Sequence, residues 1–322
     1  MGWFSLRSVG LRMAGMALAV SLFGVGVNVG GAQQAGATAP QVQPAEVGSP
    51  TDPVGQGPAQ PRARMGLPVP KDPKLPTLFL IGDSTVRNGA GNGGQGQWGW
   101  GEPLVDLFDP AKINVVNRAI GGLSSRTYVN GPDGGRWAPT LAMIKPGDVV
   151  LMQFGHNDGG VPDEPTRARA SLPGTGEETL EIENPILKVH ETVHTYGWYL
   201  RKLVEDIKAK GATPIVCSPI PRKTWRDGKI ARNKASYGGW AEQVATEEKV
   251  GFLDLNEAIA RRYDAMGQEA VEPMFADPGT HTSLVGAQLN AEVVVSCLKA
   301  LKSDPVVGDF SAKGTAVAAF KE

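Results

Sequence analysis

From residue 77 onward, short unbroken apolar runs alternate with longer stretches in which apolar residues recur every third or fourth position. The runs are TLFLIG (77–82), KINVVNRA (112–119), DVVLMQFG (148–155), TPIVCSPI (213–220) and VGFLDL (250–255). A short apolar run bounded by polar residues predicts a strand covered on both faces. Between the third and fourth runs, Leu200, Leu203, Val204 and Ile207 follow the i, i+3, i+4, i+7 spacing of an amphipathic helix. Lys208, Lys210 and Gly211 suit the C-terminal end of that helix. Val293, Val294, Cys297, Leu298 and Leu301 make another stripe, on a final helix opening near Thr282 or Ser283. Strands alternating with helices across short links predict a parallel sheet sandwiched by helices. Ligands bind such sheets beyond the carboxyl ends of the strands.

Upstream of this domain the pattern changes twice. Arg7 and Arg12 precede the apolar stretch MAGMALAVSLFGVGVNVG, which gives way to small residues. This is the layout of a secretory signal peptide over residues 1–32, with cleavage after Ala32. The stretch also approaches spanning length, so an uncleaved N-terminal anchor is the competing reading. Either way the expected location is outside the cytoplasm, secreted or periplasmic. Residues 33–75 are rich in Pro, Ala, Gln and Gly without apolar periodicity, which predicts a flexible linker. The folded domain is expected over 76–302, followed by a weakly patterned tail over 303–322.

Composition narrows the possible partners. With 32 basic and 33 acidic residues, the net charge of -1 offers no electrostatic case for nucleic acid or for an anionic membrane surface. The two cysteines, Cys217 and Cys297, lie in apolar runs and read as buried thiols rather than a disulfide framework or a zinc site. Histidine chemistry has only His156, His190, His194 and His281 to draw on.

The predicted strand ends carry reactive groups. The first run ends in Gly82-Asp83-Ser84, the second leads to Gly121-Gly122, and the third ends in FGHND with Asn157 and Asp158. Just before the final helix stands FADPGTHTS, with Asp277 and His281. Acyl transfer needs this set. Ser84 is a poor nucleophile until a base such as His281 takes its proton, and the base needs a carboxylate, here Asp277, to orient it. The backbone N–H groups of Ser84 and Gly122 and the side-chain amide of Asn157 are candidate donors to the tetrahedral oxyanion.

Taken together, GDS after the first strand, the glycine of the second block, GHND and the late histidine resemble the SGNH (or GDSL) hydrolase superfamily. Within it, IGDSTV, NRAIGGLSSRTY, QFGHNDGG, HTYGWYL, KGATPIV and THTS are similar to the rhamnogalacturonan acetylesterase-like carbohydrate esterases. The resemblance covers nearly all of residues 77–301. It implies a flavodoxin-like three-layer α/β/α sandwich with a parallel sheet of about five strands, a serine mechanism without metal or cofactor, and removal of O-acetyl groups from polysaccharides. It also implies Ser84 as nucleophile, Gly122 and Asn157 as oxyanion donors and His281 as base. Gly122 is chosen over Gly121 because Gly122, Ser124 and Arg126 match the family's G-x-S-x-R spacing. The superfamily places its aspartate three residues before the histidine, whereas Asp277 lies four before. Either the Pro-Gly turn absorbs the extra residue, or a backbone carbonyl or Glu272 orients the imidazole.

Several residues carry two readings. Trp98 and Trp100 either line a sugar subsite or pack their loop on the core. Arg126 and Arg222 either meet a uronic acid carboxylate or form structural salt bridges. His156 is expected to buttress its loop. The string HETVH (190–194) has zincin spacing, but its threonines and valine weaken a helix and no third ligand stands out, so no metal site is expected. A lipase or thioesterase on other acyl esters, and a non-catalytic carbohydrate-binding protein, stand as alternative functions.

Overall fold

The computed structural model describes residues 66–321. The leader expected over 1–32 and most of the linker lie outside the described residues. In chain order the elements are β1 Thr77–Gly82, α1 Gly101–Leu104, β2 Asn114–Asn117, α2 Ser125–Asn130, α3 Trp137–Leu141 and β3 Val149–Gln153. There follow β4 Thr179–Asn184, β5 Val189–His194, α4 Tyr196–Ala209, β6 Thr213–Cys217, β7 Trp225–Arg226, β8 Lys229–Ile230 and α5 Tyr237–Glu247. The chain closes with β9 Gly251–Leu253, α6 Leu255–Met266, α7 Gln268–Val271, α8 Leu284–Ala300 and α9 Ala312–Ala316.

The five apolar runs form one sheet in the order β2-β1-β3-β6-β9. Every pairing in it is parallel. Because successive side chains alternate across a strand, each strand feeds two cores. Leu78, Leu80, Val149, Leu151 and Ile215 pack with Leu104, Ile259, Val294 and Leu298 from α1, α6 and α8. Phe79, Ile81, Val150, Met152 and Val216 pack on the opposite side with Tyr128, Leu203, Ile207 and Val244 from α2, α4 and α5. The result is the expected three-layer α/β/α sandwich. Helix starts are capped as their sequences suggest: Thr195 accepts from the Trp198 N–H, Asp254 from Glu257 and Ser283 from Gly286.

Strand order reverses on either side of β1, since β2 lies to one side of it and β3 to the other. Such a switch point opens a crevice beyond the carboxyl ends of β1 and β3. The loops that carry the candidate residues converge there.

Three features differ from expectation. The stretch around HETVH is strand β5 of an antiparallel hairpin with β4, an element the apolar pattern did not predict. Its Thr and Val residues suit a half-exposed strand face. The tail is not loose: Phe310 packs on Phe108 with ring centroids 5.1 Å apart. Lys299 Nζ, moreover, donates to the carbonyls of Gly314 (2.7 Å), Thr315 (3.0 Å) and Val317 (2.6 Å) at the end of α9. The end of the linker is also held, since Arg118 Nη1 donates to the Pro68 carbonyl at 3.1 Å and Asn114 Oδ1 accepts from the Lys71 N–H at 3.1 Å. Sequence periodicity misses both ends because each is fixed by a few contacts with distant segments rather than by a repeating local pattern.

Candidate active site

β1 terminates at Gly82, where a Cβ would meet the Gln153 carbonyl oxygen at 2.4 Å and Val86 Cγ2 at 2.6 Å. Only glycine lets the end of β1 lie this close to the β3 carbonyl and to Val86. The next residue shapes the corner. Asp83 Oδ1 accepts from the Thr85 N–H (2.8 Å) and from Thr85 Oγ1 (2.7 Å). Thr85 Oγ1 in turn accepts from Gln153 Nε2 at 2.5 Å, and Gln153 Oε1 accepts from Trp100 Nε1 at 2.8 Å. Trp100 is fully buried, so the subsite reading fails for it: its indole N–H anchors the floor of the nucleophile corner. Burial raises the Asp83 carboxyl above its ordinary range against the Thr85 hydrogen bonds. Ser84 stands on this platform, 8% exposed.

His281 Nε2 lies 2.9 Å from Ser84 Oγ, and His281 Nδ1 lies 2.5 Å from Asp277 Oδ2. The Asp277-Pro278-Gly279-Thr280 segment wraps around the other carboxylate oxygen. Asp277 Oδ1 accepts from the N–H groups of Gly279 (3.0 Å), Thr280 (2.7 Å) and His281 (3.0 Å). That turn takes up the extra residue between aspartate and histidine. Burial alone would raise the carboxyl, but the hydrogen bond with His281 and the three backbone donors hold it well below the usual carboxylate range. An ionised carboxylate only accepts, so Nδ1 must carry the proton and Nε2 faces the serine as an acceptor. Glu272 pairs with Lys223 at 2.6 Å instead of with the imidazole.

The opposite wall is built from the loops after β2 and β3. Gly122 adopts φ +85°, a left-handed conformation suited to glycine, and a Cβ on Gly121 would lie 3.3 Å from Ser84 Cβ. Asn157 Nδ2 donates to the Leu123 carbonyl at 2.9 Å, which ties the two loops together and leaves its second N–H available. Beneath them, Asp158 Oδ1 accepts from the Ser125 N–H (3.0 Å), Ser125 Oγ (2.5 Å) and Ser171 Oγ (3.2 Å). Burial pushes its carboxyl up to about 6. His156 is held well below its ordinary pKa, by burial first and then by the charges of Arg222 and His281, which suits a neutral buttress.

The other candidates separate. Arg126 is fully buried and cannot meet substrate. It pairs with Glu191 through Nε–Oε1 (2.8 Å) and Nη2–Oε2 (2.6 Å), and Nη1 donates to the carbonyls of Pro162 (2.9 Å) and Ala170 (2.7 Å). Glu191 comes from the hairpin that periodicity missed, so the pairing was invisible in the chain. Arg222 does reach the site: Nη1 donates to Thr280 Oγ1 and Nη2 to the His156 carbonyl at 3.5 Å. Trp98 is half-buried and its backbone pairs with Thr282, through its N–H to the Thr282 carbonyl (2.9 Å) and its carbonyl from Thr282 Oγ1 (2.8 Å). That docks its loop beside His281. His190 is on an exposed face between Glu181 and Glu183, each 2.9 Å away, and His194 stacks on Trp198 with centroids 3.7 Å apart. Among the described residues no group of three or more His, Cys, Asp or Glu side chains is placed to hold a metal ion. Sequence reasoning missed Arg169, whose Nη1 donates to the Gly122 carbonyl at 3.2 Å. No motif marks it, because it lies in an irregular segment brought in by Arg126.

The Trp98 loop has its own pH-sensitive support. Glu102 Oε2 accepts from the Gly99 N–H at 2.7 Å, and burial raises its carboxyl from 4.5 to about 8. The folded state therefore retains a proton that the unfolded state releases. The associated stability is complete below about pH 4.5 and is lost as pH rises towards 8. Wild-type Tm is expected to fall relative to that of Glu102→Gln across this window. A Tm difference between the two proteins that stays constant from about pH 5 to pH 8 would contradict this account.

Residues 80–289 match the model of the GDSL-like Lipase/Acylhydrolase family. Among curated proteins, the chain is similar to a rhamnogalacturonan acetylesterase of Emericella nidulans, 29% identical over 223 residues, which are 69% of this chain and 84% of that protein. It is also similar to a probable rhamnogalacturonan acetylesterase of Bacillus subtilis, YesY, 31% identical over 229 residues, 70% of this chain and 93% of that one. Among solved structures, the Bacillus subtilis protein YxiM superposes with a TM-score of 0.56 at 24% identity, over 73% of this chain and 58% of the other. That likeness concerns the fold.

Proposed function

Since this chain belongs to the GDSL-like lipase/acylhydrolase family and is a carboxylic ester hydrolase, we propose that it is a serine-dependent esterase that removes O-acetyl groups from polysaccharides of the rhamnogalacturonan, pectin or xylan type, outside the cytoplasm. The observation that carries the reading is the hydrogen-bonded series Ser84–His281–Asp277, at 2.9 and 2.5 Å, at the switch point of the sheet. Ser84 Oγ attacks the acetyl carbonyl as its proton passes to His281 Nε2. Asp277 stabilises the imidazolium that forms. The oxyanion is met by the N–H groups of Ser84 and Gly122 and by the Asn157 amide, donors already fixed before reaction begins. Collapse of the intermediate breaks the ester bond, and His281 returns the proton to the departing sugar hydroxyl. Water, deprotonated by the same nitrogen, then attacks the acetyl-enzyme, and acetate leaves with Ser84 restored.

The names of the relatives support a carbohydrate ester as substrate. The polar side chains of Asn157, Arg169 and Arg222 around the crevice support it over a long acyl chain, which needs an apolar groove. The test is acetate release from acetylated rhamnogalacturonan, pectin and xylan, run beside acetyl and long-chain acyl esters of one alcohol. Release from at least one polysaccharide, with acetyl favoured over long acyl chains, is expected. Turnover of long-chain esters alone would assign a lipase or thioesterase instead.

A further inference from the structure

We propose that Arg169 is a positioning residue for the oxyanion side of the crevice: it holds the Gly122 carbonyl, and with it the direction of the Gly122 N–H, and it fixes a positive charge on the wall where the acetyl oxygen turns negative. The inference rests on the serine esterase reading above and adds to it a residue that acts through the oxyanion loop.

Gly122 is the least constrained of the proposed oxyanion donors. It sits at φ +85°, and without a Cβ its own torsions are weakly limited, so the direction of its N–H has to be set by ties from outside. Arg169 supplies two of them. Its Nη1 donates to the Gly122 carbonyl at 3.2 Å, and its backbone carbonyl accepts from Ser124 Oγ at 2.5 Å. The loop is thus gripped on both sides of Leu123, whose own carbonyl accepts from Asn157 Nδ2 at 2.9 Å. One arginine therefore steadies the loop that joins two of the three oxyanion donors.

The backbone that presents Arg169 is strained. Among the described residues, five other than glycine have positive φ. Gln95, Lys188, Asp227 and Lys249 are exposed, whereas Ala168, at φ +43°, is 2% exposed. Left-handed backbone at a buried alanine is unfavourable and persists only where the surroundings hold it. Here the Ala168 N–H donates to the Glu164 carbonyl (2.9 Å), Arg126 Nη1 to the Ala170 carbonyl (2.7 Å) and the Ser171 N–H to the Asp158 carbonyl (3.0 Å). Arg126 belongs to α2 and Asp158 follows Asn157, so the strained corner is braced against the same two loops that carry the oxyanion donors.

Charge adds to position. Burial first, and then the charge of Arg167, bring the Arg169 guanidinium down to about 10, with Asp158 and Asp83 opposing and Arg222 adding to the fall. It stays positive at neutral pH. The ester carbonyl is neutral when bound and becomes negative only on attack, so a fixed cation on that wall favours the transition state over the bound ester and shows in kcat rather than in KM.

The test measures kcat and KM on a simple acetyl ester and on an acetylated polysaccharide, beside the affinity for methylboronic acid. Its boron takes Ser84 Oγ to form a tetrahedral anion while the serine proton passes to His281, so binding reports the oxyanion wall without turnover. Arg169→Gln is expected to lower kcat by about 10- to 100-fold by the same factor on both esters, with KM unchanged and the boronate weakened in parallel. Arg169→Lys, which keeps the charge and loses the planar fork, should lose about 3- to 10-fold in both readouts, and it carries the test if Arg169→Gln does not fold. A kcat at the wild-type value in either folded variant, a loss confined to KM, or a fall in kcat with boronate affinity intact overturns the positioning role and leaves the esterase reading standing. A wild-type protein that hydrolyses no acetyl ester overturns both.

Discussion

Ser84→Ala is expected to lower kcat/KM on a simple acetyl ester by about 10⁴- to 10⁶-fold, the range for removing the nucleophile of a hydrogen-bonded triad. The substitution deletes one oxygen from a side chain that is 8% exposed and whose Oγ bonds to His281 Nε2 at 2.9 Å. It opens no cavity and strands no buried donor, because the corner is held by Asp83, Thr85, Gln153 and Trp100. Tm should therefore change little while turnover collapses. The check is steady-state kinetics with a melting curve on the same preparation. A Ser84→Ala protein that retains more than about a tenth of wild-type activity would falsify the covalent mechanism.

The second large effect is expected at Asp277→Asn, about 10³- to 10⁴-fold in kcat with little change in KM. Asparagine keeps an oxygen for the N–H groups of Gly279, Thr280 and His281, so the turn should survive. What changes is the group facing His281 Nδ1. An amide N–H there donates where the carboxylate accepted, which drives the imidazole into the tautomer with its proton on Nε2. That nitrogen then faces Ser84 as a donor and cannot take its proton. Glu272→Gln is the matched control, since Glu272 pairs with Lys223 and not with the imidazole. A larger loss in Glu272→Gln than in Asp277→Asn would return the orienting role to Glu272.

The two substitutions bear on parts of the site with different visibility in the chain. Ser84 follows an apolar run that could be recognised as a buried strand, and β1 ends at Gly82 as its pattern predicts. Asp277 was ambiguous, because the number of residues separating it from His281 does not say how the turn between them closes. That closure depends on three backbone amides converging on one oxygen, a three-dimensional event. Arg126 and Trp100 were left with two readings for a related reason. Position near a strand end says that a side chain belongs to a loop, not whether it points into the crevice or under it. Glu191 takes Arg126 and Gln153 takes Trp100, and the partners lie 65 and 53 residues away.

By itself, the sequence determined the local choices: which runs are strands, where capped helices begin, and which side chains have acyl-transfer chemistry. Apolar periodicity and residue type act over a few neighbouring positions, so both are written directly in the chain. Only the tertiary structure decided which of those side chains meet. It brought Arg169 and Arg222 to the crevice, buried Arg126 and Trp100 beneath it, and folded the tail onto the domain. Those outcomes depend on contacts between distant segments, where burial and a hydrogen-bond partner override what any local pattern can specify.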